Sequence, residues 1–283
     1  MSVFSAAQAL SAMRLQTVKY MTTASTTILF FDYSLTLALE VSLIWPSKWS
    51  LTKILYFLSR YMPFIDVPVN IYYLTPSVSL PHCAQLNTAI ATGNVFGIAV
   101  AEAIFVLRTY GLSGRRRKVL FIFGTLYSLC VVAAVTMMGI FLRNMIYSPP
   151  PLGIPGCNLT GGPFVLVGLS FIVVLLNETA LMSYTLWIGY KTYRHTKSPV
   201  LATLYRDGIS YYVFICLGSV ANVAILVAAP PELRELLNTF LRVMHSILST
   251  RALLNVREIE NKRLEMSVQV TTGTDIHFAS GDM

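Results

Sequence analysis

Residues 86–110 read LNTAIATGNVFGIAVAEAIFVLRTY, an almost continuous apolar run with one ionisable residue, Glu102, before Arg108. A helix needs about 20 apolar residues to cross the hydrocarbon core of a bilayer, and this run exceeds that length. Its backbone amides and carbonyls would lack partners in lipid unless they bonded to each other within a helix. The run therefore predicts a transmembrane helix, and the recurrence of similar runs along the chain decides the fold.

Comparable apolar runs recur along almost the whole chain, separated by short polar connections. Only 12% of the 283 residues are charged, whereas soluble chains carry roughly 25%. We predict an all-α integral membrane bundle of seven transmembrane helices, with an N-terminal segment, 1–21, a membrane domain, 22–254, and a polar tail, 255–283. The predicted spans are 22–44, 54–74, 86–110, 119–142, 164–190, 208–228 and 233–254. Pro63 and Pro68 predict kinks in the second span.

The seventh run is the least apolar of the seven. Inside or beside it lie Arg234, Glu235, Arg242, His245 and Arg251. Their spacing lets them share one stripe that faces the bundle while apolar residues face lipid, which favours a span. The alternative is an amphipathic helix that lies on the membrane surface.

Lys and Arg are unevenly distributed between the predicted loops. The second loop has neither and the fourth has Arg143 alone, whereas the first, third and fifth are basic. Because basic loops stay in the cytosol, the N-terminus is predicted outside and the C-terminus inside. The basic loop residues are Lys48 and Lys53; Arg115, Arg116, Arg117 and Lys118; and Lys191, Arg194, Lys197 and Arg206. The net charge of +8 therefore reflects orientation and not a nucleic-acid partner, and Arg115 to Lys118 are expected to bind anionic lipid.

Two of the four cysteines, Cys83 and Cys157, lie in the second and fourth loops on the predicted outer face. The other two lie inside apolar spans, so only the first pair shares an oxidising compartment. A disulfide between Cys83 and Cys157 is predicted, with two unpaired thiols as the alternative. A glycosylation sequon on the same face begins at Asn158 and predicts a glycoprotein.

Ionisable residues inside the spans are the first candidates for function, because a charge in lipid is costly unless it is paired. Helix depth places Glu40, Arg60 and Glu102 at similar levels toward the inner face, where they are predicted to form one cluster. These residues either pair to fix the register of neighbouring helices or form a site for a proton, an ion or a ligand. The candidates are Asp32, Glu40, Arg60, Asp66, Glu102 and Glu178. Arg108 and Tyr110 are predicted separately to form an anchor or a switch at the inner face. In the anchor, Arg108 would extend toward the membrane surface.

Signatures of catalysis and of cofactor binding are missing from the sequence. The four histidines have no zinc-binding spacing on a helix, and no G-x-S-x-G stretch or phosphate-binding loop occurs. The predicted spans also contain no lysine that could carry a retinal Schiff base. We therefore expect neither an enzyme nor a cofactor or metal site.

Several motifs resemble those of a large fungal family of uncharacterised multi-span membrane proteins. They are Asp32-Tyr33, Glu40, Trp45, Lys48-Trp49-Ser50 and Arg60-Tyr61, followed by Arg108-Thr109-Tyr110, Arg206-Asp207-Gly208, Ser249-Thr250-Arg251 and Leu254-Asn255-Val256-Arg257. The resemblance covers all seven predicted spans and implies a multi-span membrane fold. Because that family is known only as a domain of unknown function, the resemblance implies no activity.

The layout also resembles that of G-protein-coupled receptors, with an outer N-terminus, a bridge from the head of span three, and Arg108-x-Tyr110 where receptors carry Asp-Arg-Tyr. Leu107 stands in place of the acid, and the receptor motifs of spans six and seven are missing. The resemblance implies a signalling receptor in the plasma membrane with a small-molecule ligand and a cytosolic signalling partner. A proton- or ion-coupled transporter and a non-catalytic membrane scaffold remain the alternatives.

Overall fold

The computed structural model describes residues 6–75, 79–148, 155–195 and 199–279, and these are almost entirely α-helical. The helices are α1 (Ala6–Leu43), α2 (Leu51–Tyr61), α3 (Pro63–Leu74), α4 (Leu80–Leu112), α5 (Arg117–Arg143), α6 (Phe164–His195), α7 (Pro199–Ala228) and α8 (Asn238–Ala279). Between α5 and α6, β1 (Ile146–Ser148) pairs antiparallel with β2 (Asn158–Gly161). The prediction of an all-α fold is confirmed.

Among the described residues, five helical segments are long and apolar enough to cross a membrane. They are Gln8–Leu43, Pro81–Leu112, Arg117–Arg143, Phe164–Lys191 and Ser210–Ala228. Large apolar side chains cover their outer surfaces, including Phe121 and Leu129 on α5 and Phe214 on α7. Soluble monomers rarely expose apolar patches of this extent, so the surface fits a lipid bilayer.

Helices α2 and α3 form one rod that is broken at Met62. Pro63 lacks an N–H and its ring clashes with the carbonyl four residues earlier, that of Ser59. The freed Ser59 carbonyl accepts a hydrogen bond of 2.6 Å from the hydroxyl of Ser246 on α8. The helix is therefore interrupted at the position where Pro63 predicts a kink, and a neighbouring helix satisfies the backbone group that the proline releases. Pro68 lies within the continuous helix α3.

Helix α8 lies inside the bundle, where it contacts α1, α2, α3, α4 and α7. Arg242, His245, Ser246 and Ser249 are buried on one face of α8, at the i, i+3, i+4 and i+7 spacing of a helical stripe. The alternative of a helix lying on the membrane surface is therefore wrong. The low hydropathy of the seventh run, 233–254, follows from the burial of α8, because a helix surrounded by other helices needs little lipid-facing surface.

The predicted disulfide joins Cys83 on α4 to Cys157, with the two Cα atoms 5.7 Å apart. The backbone N–H of Cys157 also donates a 3.0 Å hydrogen bond to the carbonyl of Tyr73 on α3. We call this end of the bundle the disulfide end. The opposite end is called the basic end, because Arg115 and Arg116 before α5 and Arg117 and Lys118 at its start are exposed there.

Candidate functional site

In the described part of the chain, three groups of ionisable residues lie along α8, and all of their members except the partly exposed Arg251 are buried. In each group, at least one charged pair links α8 to a neighbouring helix. The single cluster predicted for Glu40, Arg60 and Glu102 is wrong in one member, because Glu102 lies with Glu178 and His245 and not with Arg60. Depth along the helices placed these residues at one level, but the rotation of α4 directs Glu102 toward α6 and α8.

The first group, which we call the Arg60 cluster, consists of Asp32, Glu40, Arg60 and Arg251. Nη1 of Arg60 lies 2.8 Å from Oδ2 of Asp32, and Nε lies 3.3 Å from Oε2 of Glu40. Arg251 on α8 approaches the other oxygen of Asp32 to 2.5 Å. Because both carboxylates have a cationic partner, this cluster fits the interpretation of charges that fix helix register.

The Arg60 cluster is also saturated with hydrogen bonds from neutral groups. The hydroxyls of Tyr56 and Tyr61 donate to Glu40 at 3.1 and 2.7 Å. The guanidinium of Arg60 donates to the hydroxyl of Thr36, and it lies 5.0 Å from the ring centroid of Tyr33. Such complete pairing compensates for the removal of these charges from water.

The second group is the pair of Asp66 on α3 and Arg242 on α8. Nη2 and Nε of Arg242 lie 2.9 and 3.0 Å from Oδ2 of Asp66. The guanidinium packs directly against Gly97 of α4, where a Cβ atom would collide with it. The pair therefore depends on a glycine that gives the arginine room between α3, α4 and α8.

The third group, which we call the His245 cluster, contains Glu102, Asn177, Glu178 and His245 from α4, α6 and α8. Nε2 of His245 lies 2.9 Å from Oε1 of Glu178 and 3.7 Å from Oε1 of Glu102. Nδ2 of Asn177 donates a 2.7 Å hydrogen bond to Oε2 of Glu102. The cluster contains two carboxylates and one imidazole, so it has more acidic than basic groups and can accept a proton or a cation.

A cavity of about 110 Å³ lies in the half of the bundle nearer the disulfide end. Residues from α1 and from α3 through α8 line it, and most of them are apolar. Its polar lining includes Thr22, Asn70, Asn87, Asn94, Glu102, Asn177, Arg234, Glu235, Asn238 and Thr239. Glu102 and Asn177 are the lining residues of α4 and α6 that lie farthest from the disulfide end, so these two members of the His245 cluster lie at the floor of the cavity. An apolar cavity with a few convergent polar groups is the usual form of a small-molecule site.

Residues predicted as an inner-face anchor or switch lie at the basic end. Arg108 is only 5% exposed, and its guanidinium lies 5.6 Å from the ring centroid of Tyr211 on α7. The anchor in which Arg108 extends toward the membrane surface is therefore wrong, because the side chain is buried between helices. Tyr110 is partly buried nearby.

Asn158, the predicted glycosylation site, lies in β2 and is 8% exposed. A glycan needs an exposed side chain, so the structure does not support the glycoprotein prediction. The side chains of Arg194, Lys197 and Arg206 lie outside the described part of the chain.

Sequence reasoning assigned no partner to the α8 residues Arg242, His245 and Arg251, and it did not include Asn177 among the candidate site residues. The signal for the first three was present, because their spacing predicted a stripe that faces the bundle. Asn177 gave no signal, because an amide in an apolar run does not indicate where it points.

The fold and its apolar surface define a helical integral membrane protein. Residues 20–65 match a family of unknown function (DUF6533). The match covers less than half of the chain, but it runs from α1 into α3 and contains Asp32, Glu40 and Arg60. The Arg60 cluster is thus built mainly from the segment that matches. No curated protein matches the chain.

Proposed function

We propose that this protein is a seven-helix, receptor-like membrane protein that binds a small ligand from outside the cell and transmits binding to the cytosol. Five of the crossings are the apolar segments given above. The other two are the broken rod of α2 and α3, and α8. The proposed role is non-catalytic and belongs to the plasma membrane.

The observation that carries the proposal is the cavity at the disulfide end. Residues of every helical rod contribute to its wall, so a ligand there would contact all the rods together. Asn70, Asn94 and Asn238 supply amide groups within a mainly apolar lining. A small organic molecule with hydroxyl, amide or amine groups fits this chemistry.

Helix α8 supplies a physical connection from the cavity to the basic end. Thr239 lines the cavity and accepts a 2.6 Å hydrogen bond from Asn70. Farther along α8, Arg242, His245 and Arg251 pair with α3, α6 and α1 in turn. A ligand that shifted α8 would therefore change charged contacts along the length of the bundle.

The proposed topology has the disulfide end outside and the basic end in the cytosol, with Arg115, Arg116, Arg117 and Lys118 against anionic headgroups. Short epitope tags at the two termini test it in intact cells. An impermeant antibody should reach the N-terminal tag at once and the C-terminal tag only after permeabilisation. Equal access to both tags from one side would contradict an odd number of crossings.

Ligand binding is tested with purified protein in nanodiscs and a library of small fragments bearing hydroxyl, amide or amine groups. Val95 lines the cavity and Val132 faces outward on α5, so Val95→Trp and Val132→Trp form a matched pair. Fragments that raise the Tm of the wild type should also raise that of Val132→Trp but not that of Val95→Trp. Equal stabilisation of both variants, or no stabilisation of the wild type, would overturn the proposal.

Signalling is tested separately with a purified heterotrimeric G protein. It should co-purify with the wild type, and replacement of Arg115, Arg116, Arg117 and Lys118 by glutamine should abolish the association. The matched control replaces Arg143 at the other end of α5. Association that survives the first change, or that is missing in the wild type, would remove the signalling part of the proposal.

A proton-coupled carrier is the second candidate, favoured by the carboxylate of Glu102 at the cavity floor. Proteoliposomes with a pH-sensitive dye inside test it directly. A carrier would move protons under an imposed gradient, and Glu102→Gln would stop that movement. A rate equal to that of empty liposomes would exclude this candidate.

A further inference from the structure

We propose that the His245 cluster binds one divalent transition-metal ion, zinc above all, at the floor of the cavity. The ligands are Nε2 of His245 and one carboxylate oxygen from each of Glu102 and Glu178. These three atoms lie within 4.8 Å of one another and come from three helices, α8, α4 and α6. Metal binding is measured directly, so the inference does not depend on the receptor role.

The hydrogen bonds of His245 fix which ring nitrogen is free for a ligand. Its Nδ1 lies 2.8 Å from the backbone carbonyl of Leu241, which can only accept, so Nδ1 carries a proton. In the neutral imidazole, Nε2 then carries a lone pair that is directed at the carboxylates of Glu178 and Glu102. Acceptors that face one another in this way need a proton or a cation between them. Metal-binding histidines commonly donate their second N–H to a backbone carbonyl, as His245 does.

Charge balance favours a divalent cation over a single proton. With a protonated His245, the two carboxylates leave the cluster with an excess of one negative charge inside the bundle. With a neutral His245 and a divalent ion, the same residues carry no net charge. Because an uncompensated charge is costly in a low-dielectric interior, the metal-bound form is better balanced than the form with one proton.

Several buried oxygens in the cluster have no hydrogen-bond partner among the described residues. They are Oε1 of Glu102, Oε2 of Glu178 and Oδ1 of Asn177. Native proteins pair almost all buried polar atoms, so three acceptors without a partner in one cluster require a hydrogen-bond donor or a cation among them. Around the ligands, the Ser219 hydroxyl donates to Glu178 at 3.1 Å and Asn177 donates to Glu102, which orients both carboxylates.

The donor set and spacing indicate zinc in preference to calcium or magnesium. One imidazole nitrogen and two carboxylate oxygens suit a transition metal, whereas calcium takes six to eight oxygens. Zinc–ligand bonds of roughly 2.0–2.2 Å put tetrahedral ligands about 3.4 Å apart. The 2.9 and 3.7 Å separations at His245 bracket that distance. Because Glu102 also lines the cavity, a fourth position would face the cavity and accept water or a ligand group.

The test uses tag-free full-length protein in nanodiscs, since a histidine tag would bind metal itself. Elemental analysis of protein purified without chelator should give about one zinc per chain. After chelator treatment, titration with ZnCl₂ should restore one site per chain and raise the Tm. Protein that carries no metal and does not respond to ZnCl₂ would overturn the proposal.

Variants then locate the site. Glu102→Gln, Glu178→Gln and His245→Asn should each weaken zinc binding at least 100-fold. Glu40→Gln, a buried carboxylate of the Arg60 cluster, and His82→Asn, an exposed histidine, should leave it unchanged. Zinc binding that is retained in the first three variants, or lost in His82→Asn, would place the metal elsewhere and overturn the assignment.

A cobalt measurement on the unmutated protein covers the case in which a variant fails to fold. Co²⁺ added to the stripped wild type should give the intense visible absorption of a four- or five-coordinate site, and ZnCl₂ should abolish it by displacement. Only the weak absorption of hydrated Co²⁺ would contradict a built nitrogen and oxygen site.

Discussion

Nη1 of Arg60 lies 2.8 Å from Oδ2 of Asp32, and this buried contact joins the broken rod of α2 and α3 to α1. Both residues lie within the segment that matches the family of unknown function. Each carboxylate of the Arg60 cluster has a cationic partner, so loss of Arg60 would leave Glu40 and Asp32 short of positive charge in the bundle interior.

We expect Arg60→Met to lower the free energy of unfolding by about 3–5 kcal/mol, because it strands a buried carboxylate. Thermal unfolding in detergent measures the change. Arg14 pairs with Glu232 at 3.7 Å in a partly exposed position, so Arg14→Met is the matched control and should cost less than about 1 kcal/mol. Equal losses in the two variants would show that the Arg60 cluster has no special role in stability.

Gly97 provides a second, sharper test, because its missing side chain leaves room for the Arg242 guanidinium. Gly97→Ala would force Arg242 away from Asp66 and should destabilise the fold by about 3 kcal/mol. Gly124 on α5 has no atom near the position of a new Cβ, so Gly124→Ala should be neutral or slightly stabilising. In an Arg242→Met background the cost of Gly97→Ala should largely disappear. An unchanged cost there would mean that the arginine is not the cause.

The disulfide between Cys83 and Cys157 closes a loop with a sequence separation of 74 residues. Loop-closure entropy predicts that its removal by Cys83→Ser with Cys157→Ser costs about 4 kcal/mol. The Tm of the double variant and the Tm of the wild type under reductant should be lowered by the same amount. Cys130→Ser removes a free thiol and should leave the Tm unchanged. A reductant effect that persists in the double variant would point to another cause.

The fold was largely predictable from the sequence, since an apolar run as long as the hydrocarbon core can satisfy its backbone polar groups in lipid by forming a helix. Pro63 marked the break in the α2–α3 rod, and the position of Cys83 and Cys157 on one face marked the disulfide. The pairing of buried charges was not predictable. The position of a residue along a helix gives its depth in the membrane. Which partner its side chain meets depends on how the helix is rotated about its own axis, and helix packing sets that rotation. Glu102 shows the difference, because its depth suggested Arg60 and its direction brings it to His245.

A pH effect is expected at the disulfide end, where the Ser11 hydroxyl donates a 2.6 Å hydrogen bond to Glu232. This bond is the main cause that lowers the pKa of Glu232 below its ordinary value near 4.5; partial burial opposes it and Arg14 assists it. A lowered pKa means that the contribution to stability is complete above the ordinary pKa and is lost as the pH falls through the folded-state pKa.

The wild type should therefore be more stable than Glu232→Gln at pH 7, and the difference should shrink as the pH falls below about 4.5 toward the lower, folded-state pKa. Thermal unfolding of both proteins between pH 7 and pH 3 measures it. Glu260 is exposed on α8, so Glu260→Gln is the control and should track the wild type within about 0.5 kcal/mol at every pH. Ser11→Ala should reproduce part of the Glu232→Gln effect, because the remaining carboxylate keeps Arg14 but loses its hydroxyl donor. A difference that grows on acidification would mean that the protonated carboxyl is the form that the fold prefers, and would reverse the assigned sign.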